Sequence, residues 1–357
     1  MSNNKQFFFS IAIPTFNRAN LLKRAISSFL IQDFQNFEIV ISDNNSTDNT
    51  KEIIESFRDS RIIYSKNNEN IGFISNVRKV ILMAQGKYII THGDDDMLLF
   101  SDSLRKIHDL LKERNYGFIR LNYLSKDRQN KDIANIWINK SFDVQVAKNA
   151  QSLNLLSFLE ELSPSFLSGL VFKNERITSD DFIYSEIAPW IKLLFRLSKE
   201  YGVAFMHDNY IISSWSEGDI SKVYNIDKKN RLYFENYIDC IVSELLNKSE
   251  ADEYMKLYFE RFKKEYIYFF PALKYFTNNK NLKAYKNRLF YLNRNLKNDL
   301  SFWFYYFISF YTPKFIISFL RRYIHLIRPD SSRDIKEIKE IDVIKKKFEI
   351  LTNNNMK

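Results

Sequence analysis

Gly86-Lys-Tyr-Ile-Ile-Thr-His-Gly-Asp-Asp-Asp-Met-Leu-Leu99 is the stretch on which the fold turns. Tyr88, Ile89 and Ile90 read as a short buried strand. Asp94, Asp95 and Asp96 follow directly, then the apolar pair Met97 and Leu98. Adjacent like charges repel, so a fold that holds three carboxylates together supplies a cation. Hard divalent ions take oxygen ligands, commonly one or two carboxylates plus substrate phosphates. In an open α/β sheet, ligands bind just beyond the carboxyl ends of the strands. An acidic cluster after a strand is therefore placed to grip a metal-bound diphosphate. Taken alone, the triplet reads equally well as a solvated acidic turn, and its neighbours decide.

Upstream, Phe7 to Ile13 is a β-rich run that ends in Pro14-Thr15-Phe16-Asn17-Arg18. Leu21, Leu22, Ala25, Ile26, Phe29 and Leu30 then repeat at helical spacing, with Asn20 as the expected N-cap. Phe37 to Ser42 predicts a second strand, closed by Asp43-Asn-Asn-Ser-Thr-Asp48. A helix with Ile53, Ile54 and Phe57 on one face follows, capped by Thr47 or Asp48. Arg61 to Tyr64 predicts a third strand, and Asn70-Ile-Gly72 leads into a helix carrying Ile74, Val77, Ile81 and Leu82. Beyond the acidic triplet, Leu104, Ile107, Leu110 and Leu111 mark another helix. Four strand–helix alternations with short links argue a mostly parallel sheet flanked by helices, Rossmann-like in outline. The polar clusters at Thr15–Arg18, Asp43–Asp48 and Gly93–Asp96 would all open onto one edge of it. No G-x-G-x-x-G follows the first strand, so a dinucleotide-type reading loses support, and no G-x-x-x-x-G-K-[ST] occurs, which removes the P-loop reading.

Downstream the pattern loosens. Tyr116–Tyr123 and Ser165–Lys173 read as strands, with some strand around Ile136–Ile138, a helix over Glu186–Lys199, and short strands at Val203–Met206 and Tyr210–Trp215. Residues 1–220 form the first expected domain, 221–330 a helical second one, and 331–357 a charged tail. The net charge of +10 divides the same way. Residues 1–220 carry 26 Lys and Arg against 27 Asp and Glu, and residues 221–357 carry 27 against 16, so the whole excess sits in the last third. A basic, aromatic-rich segment of this kind faces something anionic. Ser301–Leu320 is its most apolar stretch, interrupted by Pro313 and Lys314 and followed by Arg321, Arg322, His325 and Arg328. Aromatic bulk beside basic charge fits a helix lying in an anionic membrane surface better than one spanning it, with burial in the C-terminal domain as the alternative. A nucleic-acid role is disfavoured, since the charge accompanies an apolar stretch and no reader motif. A single cysteine, Cys240, excludes an intramolecular disulfide and a cysteine-based zinc site. The polar start, Met1–Gln6, does not read as a signal peptide.

Ile11-Ala-Ile-Pro-Thr-Phe-Asn-Arg18, Glu38-Ile-Val-Ile-Ser-Asp-Asn-Asn-Ser-Thr-Asp48, Asn70-Ile-Gly72, and Gly86-Lys-Tyr88 with Asp94–Asp96 together resemble glycosyltransferase family 2 in order and spacing. Ser165–Arg176 and the Ser216–Ser221 loop also look like bacterial O-antigen transferases, including the abequosyltransferase type. The resemblance implies a GT-A fold, a nucleotide-diphosphate sugar donor, a divalent metal (Mn²⁺ or Mg²⁺), and inversion at the anomeric carbon. It implies that Pro14, Thr15 and Asn17 line the nucleotide pocket with Arg18 near it, and that Asp43 bonds the base. Asn70 and Asn76 would border the pocket, and Asp94 or Asp95 would sit by the ribose and sugar. Asp96 would ligate the metal, with Asp94 beside it. It further implies a lipid-linked, polyprenyl-diphosphate glycan acceptor and a peripheral place on the cytoplasmic face of a bacterial plasma membrane.

The residues themselves leave other roles open. Pro14 would also end a strand, Asp43 would also serve an Asx turn or helix cap, Gly72 suits a backbone requirement, and Asn76 fits a helix surface. The acidic pair expected to open the later helix and supply the base falls instead on Pro189-Trp190. Glu186, one turn earlier, is the best candidate for the base that takes the acceptor's proton, with Asp180 and Asp181 behind it. Two rivals remain: a nucleotidyltransferase, disfavoured because Pro14–Arg18 has no glycine, and a catalytically silent nucleotide-sugar-binding or scaffolding module, favoured by the missing acidic pair.

Overall fold

The computed structural model describes residues 7–126, 133–136, 143–162, 164–183, 188–213, 237–238, 240–276, 279–313, 315–317 and 333–334. The chain divides into two compact units, one of residues 1–226 with 331–357 and one of 227–330.

The first unit is built on β1 (Phe9–Thr15), β2 (Phe37–Asp43), β3 (Ile62–Lys66) and β4 (Tyr88–Thr91), joined by α1 (Ala19–Leu30), α2 (Thr50–Ser56) and α3 (Phe73–Met83). They pair in parallel in the order β3-β2-β1-β4. Every residue of β1, β2 and β4 is buried, as covering both faces of a parallel sheet requires. Their apolar runs are therefore nearly continuous. Each fully buried Ile or Phe contributes about 1.5–3 kcal/mol.

Beyond β4 the sheet turns mixed. β9 (Leu170–Lys173) runs antiparallel to β4, and β6 (Phe118–Lys126) antiparallel to β9. β10 (Val203–Ser213) lies parallel to β6, and β5 (Asp96–Leu98) is antiparallel to β10. β7 (Ile133–Ile136), β8 (Val144–Val146) and β11 (Arg333–Asp334) complete the strands among the described residues, and α4 (Ser103–Glu113), α5 (Ser152–Glu161) and α6 (Ile191–Tyr201) the helices of this unit.

Gly86 sets the entry to β4. A Cβ there would stand 2.6 Å from the Phe9 carbonyl carbon and the Ser10 nitrogen, so no other residue fits without moving β1. Its N–H donates to Ser10 Oγ at 2.6 Å, and Ser10 Oγ donates to the buried Glu38 at 2.5 Å. Three neighbouring strands are thus tied below the acidic turn.

Several expectations shift. α1 opens at Ala19 with Arg18 in the cap position, not at Asn20. Asp48 Oδ2 accepts from the Ala19 N–H at 3.0 Å while Asp48 Oδ1 accepts from Thr50 Oγ1 at 2.5 Å, so one carboxylate serves two helix starts. The strand expected over Ser165–Lys173 shortens to β9, because residues 165–169 turn toward the acidic cluster. The two short strands expected after Val203 are one strand with an irregularity between Met206 and Tyr210. The helix expected from Glu186 starts at Ile191. Residues 137–138, Glu186 and the Ser216–Ser221 loop lie outside the described residues.

The second unit is helical, with α7 (Lys248–Phe276), α8 (Asn279–Leu292) and α9 (Leu300–Tyr311). Phe259, Phe270, Leu282, Leu289, Leu296, Phe302 and Tyr306 form its core. Among the described residues no helix is long and apolar enough to cross a membrane.

Candidate active site

The carboxyl ends of β1, β2 and β4 lie side by side, with Thr15 in register with Asp43 and Ala12 with Thr91. The segments that leave these strands meet at the acidic triplet. Thr15 Oγ1 donates to Asp94 Oδ2 at 2.8 Å. Arg18 Nη1 reaches Asp94 Oδ1 at 2.9 Å and Asp95 Oδ2 at 3.1 Å. The cation that the triplet demanded is therefore carried by the chain itself. Burial pushes the Asp94 carboxyl up, against the pull of Arg18 and Thr15. Burial and then the Asp94 charge push Asp95 up to about 6. His92, fully buried with its ring edge-on to Phe29, is driven down to about 4 by burial and stays neutral.

Asp96 is held from another direction. Ser168 Oγ donates to Asp96 Oδ2, and the Gly93 N–H donates to Ser168 Oγ at 2.7 Å. Ser168 is in turn gripped by Arg120, whose Nη1 donates to the Ser168 carbonyl at 2.7 Å. Arg120 is wholly buried, and burial lowers its guanidinium to about 10. It lies 5.1 Å and 5.4 Å from the Tyr123 and Phe166 ring centres, and those rings stack at 4.1 Å. Ser168 and Arg120 were not among the sequence candidates. Ser168 is 72 positions from its partner, and no local pattern signals that pairing.

A Cβ on Gly93 would come within 2.9 Å of Asp96 Oδ2 and 3.1 Å of Asp95 Oδ1. Glycine thus keeps open a space on which two carboxylate oxygens converge. These are hard oxygen donors of the kind Mg²⁺ and Mn²⁺ take. Both oxygens of Asp94 are engaged by Thr15 and Arg18, so Asp95, more than Asp94, shares this space with Asp96. Among the described residues no group of three or more His, Cys, Asp or Glu side chains forms a metal cage. The residues fit an ion held by two carboxylates with a ligand completing its shell, the usual state of Mg²⁺ beside a diphosphate.

The remaining sequence candidates divide. Pro14 is buried at the end of β1, next to Thr15. Asn17, at φ 54°, bridges two loops: its N–H donates to Ser46 Oγ at 2.8 Å and its Oδ1 accepts from the Thr47 N–H at 2.7 Å. Asp43 is buried; Oδ1 accepts from the Ser46 N–H and Oδ2 from Tyr64 OH, each at 2.7 Å. Both oxygens shape the loop, as an Asx-type turn does, and the carboxylate raises the Tyr64 hydroxyl's pKa after burial has done so. Asn70 Oδ1 accepts from Asn44 Nδ2 at 2.7 Å and from the Gly72 N–H at 2.9 Å. Asn76 is a buried staple: it accepts from Ser42 Oγ at 2.7 Å and donates to the Ser42 carbonyl at 2.8 Å. That places it between α3 and β2, buried and not on a helix surface. Asp181 binds Arg196 at 2.9 Å and 3.0 Å and caps a short 3-10 turn, which makes it structural.

Residues 10–157 match the family described as Glycosyl transferase family 2. The chain is 30% identical over 194 residues to GalNAc(5)-diNAcBac-PP-undecaprenol beta-1,3-glucosyltransferase of Campylobacter jejuni, covering 52% of this chain and 59% of that one. It is 30% identical over 194 residues to abequosyltransferase RfbV of Salmonella typhimurium, covering 50% and 56%. To UDP-Glc:alpha-D-GlcNAc-diphosphoundecaprenol beta-1,3-glucosyltransferase WfaP of Escherichia coli it is 33% identical over 118 residues, covering 33% and 47%. The chain thus spans about half the length of these curated relatives. The S. aureus TarS 1–349 crystal structure in complex with UDP-GlcNAc superposes with a TM-score of 0.56 at 16% identity, covering 97% of this chain and 92% of that one. That likeness is one of fold, and it agrees with the GT-A architecture expected from the sequence.

Proposed function

We propose, from the premise that residues 10–157 carry a glycosyl transferase family 2 region, that this chain transfers a sugar from a nucleotide-diphosphate donor to a hydroxyl of a lipid-linked glycan. The observation that carries the reading is the Thr15–Arg18–Asp94–Asp95 knot beside Asp96, at the carboxyl edge of parallel strands. Two of the relatives act, by their names, on undecaprenol-diphosphate-linked substrates. This supports a polyprenyl-diphosphate acceptor and a place of work at a membrane face.

In this reading the acceptor hydroxyl attacks the anomeric carbon from the side opposite the diphosphate. A new C–O bond forms, the bond to the diphosphate oxygen breaks, and the configuration inverts. The hydroxyl proton passes to a carboxylate, for which Glu186 is the proposed base. Asp95 and Asp96 would hold Mg²⁺ or Mn²⁺, which supplies Lewis-acid stabilisation of charge on the departing diphosphate. Arg18 holds Asp94 and Asp95 in place and presents positive charge at the same edge. Thr15 fixes Asp94 toward the donor, whose hydroxyls a carboxylate can bind. Asp43, Asn70 and Asn17 act by fixing the loops that receive the nucleotide.

The test is nucleotide release from a panel of UDP-, GDP-, dTDP- and CDP-sugars with Mn²⁺ or Mg²⁺, with calorimetric binding of each donor measured in parallel. Metal-dependent release or binding with one donor, lost in Asp96→Ala, is expected. Neither release nor metal-dependent binding of any donor would overturn the reading.

A further inference from the structure

α9 is apolar on both faces. Phe302 and Tyr306 point into the core of the helical unit. On the opposite side Leu300, Phe304, Phe307, Ile308 and Tyr311 follow one another at helical spacing, and all are exposed, Leu300 by 85%, Phe304 by 58% and Tyr311 by 74%. Water-facing helices normally turn a polar face outward. A contiguous exposed apolar stripe of this kind marks a binding surface.

The charge around the stripe identifies its occupant. No Lys or Arg lies between residues 298 and 313, and Lys297 and Lys314 bracket the stripe. Between residues 261 and 328 there are fourteen Lys and Arg against two acids, Glu265 and Asp299. Lys283 and Lys286 stand over the core-side rings of Phe310, Trp303 and Tyr306, so the basic frame of the exposed stripe is the one the sequence shows, Lys297 and Lys314 at its ends within a strongly basic segment. A second copy would bring two such basic segments face to face. A nucleic acid would need cations interleaved with the aromatics. At 12 residues α9 is about 18 Å long, too short to span a bilayer. An apolar centre in a basic frame matches a helix lying in the headgroup region of an anionic lipid surface.

We infer that α9 docks the chain on anionic membranes, inserting Phe304, Phe307, Ile308 and Tyr311 in the plane of the bilayer while the surrounding Lys and Arg engage lipid headgroups. Docking needs neither donor nor acceptor, so it stands or falls separately from the sugar-transfer reading.

The experiment is co-sedimentation of the full chain with phosphatidylcholine vesicles, with and without phosphatidylglycerol. The wild type should favour the anionic vesicles by about tenfold or more and lose that preference in high salt. The double variant Phe304→Glu, Tyr311→Glu changes only exposed positions and should lose about tenfold or more in binding. Its melting temperature and donor turnover should stay at wild-type values. Wild-type chain that ignores anionic vesicles, or a double variant that binds them as well as wild type, overturns the inference. So does a wild-type dimer in ultracentrifugation that the double variant dissolves, or tight binding of poly(U) that the double variant loses while vesicle binding persists.

Discussion

Replacing Ser168 by Ala isolates the contact that fixes Asp96. Ser168 Oγ donates to Asp96 Oδ2 and accepts from the Gly93 N–H at 2.7 Å, and both side chains are buried. A hydrogen bond to a charged group is worth about 1.5–3 kcal/mol, and one from a half-buried amide about 0.5–1.5 kcal/mol. Ser168→Ala should therefore cost about 2–4 kcal/mol, a drop of roughly 4–16 °C for a unit of this size. Ser198→Ala is the control: its hydroxyl is equally buried, and no hydrogen-bond partner meets it among the described residues. Removing a buried hydroxyl that bonds to nothing should leave stability within about 0.5 kcal/mol or raise it. Thermal and urea unfolding in chelator read both variants without interference from metal. Equal melting temperatures would refute the reasoning, because the two substitutions then remove the same thing.

Arg18→Ala strips the counter-ion from Asp94 and Asp95 and should cost about 2–4 kcal/mol in chelator, since breaking a buried pair leaves charge uncompensated. Millimolar Mg²⁺ should raise its melting temperature by more than it raises that of the wild type; no difference between the two would count against a cation site at this turn. Gly86→Ala drives a Cβ into main chain 2.6 Å away and should cost about 1–3 kcal/mol or more, read as a lower urea midpoint with an unchanged slope. An unchanged midpoint would mean that the β1–β4 approach is looser than the structure has it.

The parallel half of the sheet was legible because its signals are local. Phe9–Thr15, Phe37–Asp43 and Tyr88–Thr91 are mostly apolar runs, interrupted by Ser10 and Glu38 and each leading into a polar cluster, and buried strands leave that trace in one dimension. The acidic triplet and Arg18 were legible for the same reason. What the sequence hid is what depends on pairing at long range. Asn76 looks like any amide on a helix until Ser42 is seen across from it, and the bonds by which Asp43 holds the Ser46 N–H and the Tyr64 hydroxyl leave no local trace in the sequence. Ser168 sits in a Ser-Gly pair that reads as the start of a strand. Only the fold brings it to Asp96, by way of Arg120, a charged residue that no local pattern marks as buried. Asn20 has the residue type of a cap, whereas the α1 terminus is satisfied by Asp48 from another loop.

The three carboxylates of the opening stretch are chemically unequal, and the inequality bears on function. Asp94 is neutralised by Arg18 and fixed by Thr15. Asp95 shares the same guanidinium from a more exposed position. Asp96 lies in the field of Arg120, close enough that its charge supports the arginine's protonation. With every group charged, three anions against two cations leave a single negative charge, and the burial that pushes Asp94 and Asp95 up works to reduce it. One divalent ion held by Asp95 and Asp96 would turn that balance to a single positive charge. A diphosphate, which carries several negative charges, is repelled by the first balance and drawn by the second. A chain with only the acids would bind metal tightly and hold the product afterwards. One with more fixed cations would bind diphosphate without metal. In the proposed reading Arg18 and Arg120 set the site between these extremes, and donor binding is expected to rise with added Mg²⁺; binding that is independent of the ion would count against that reading.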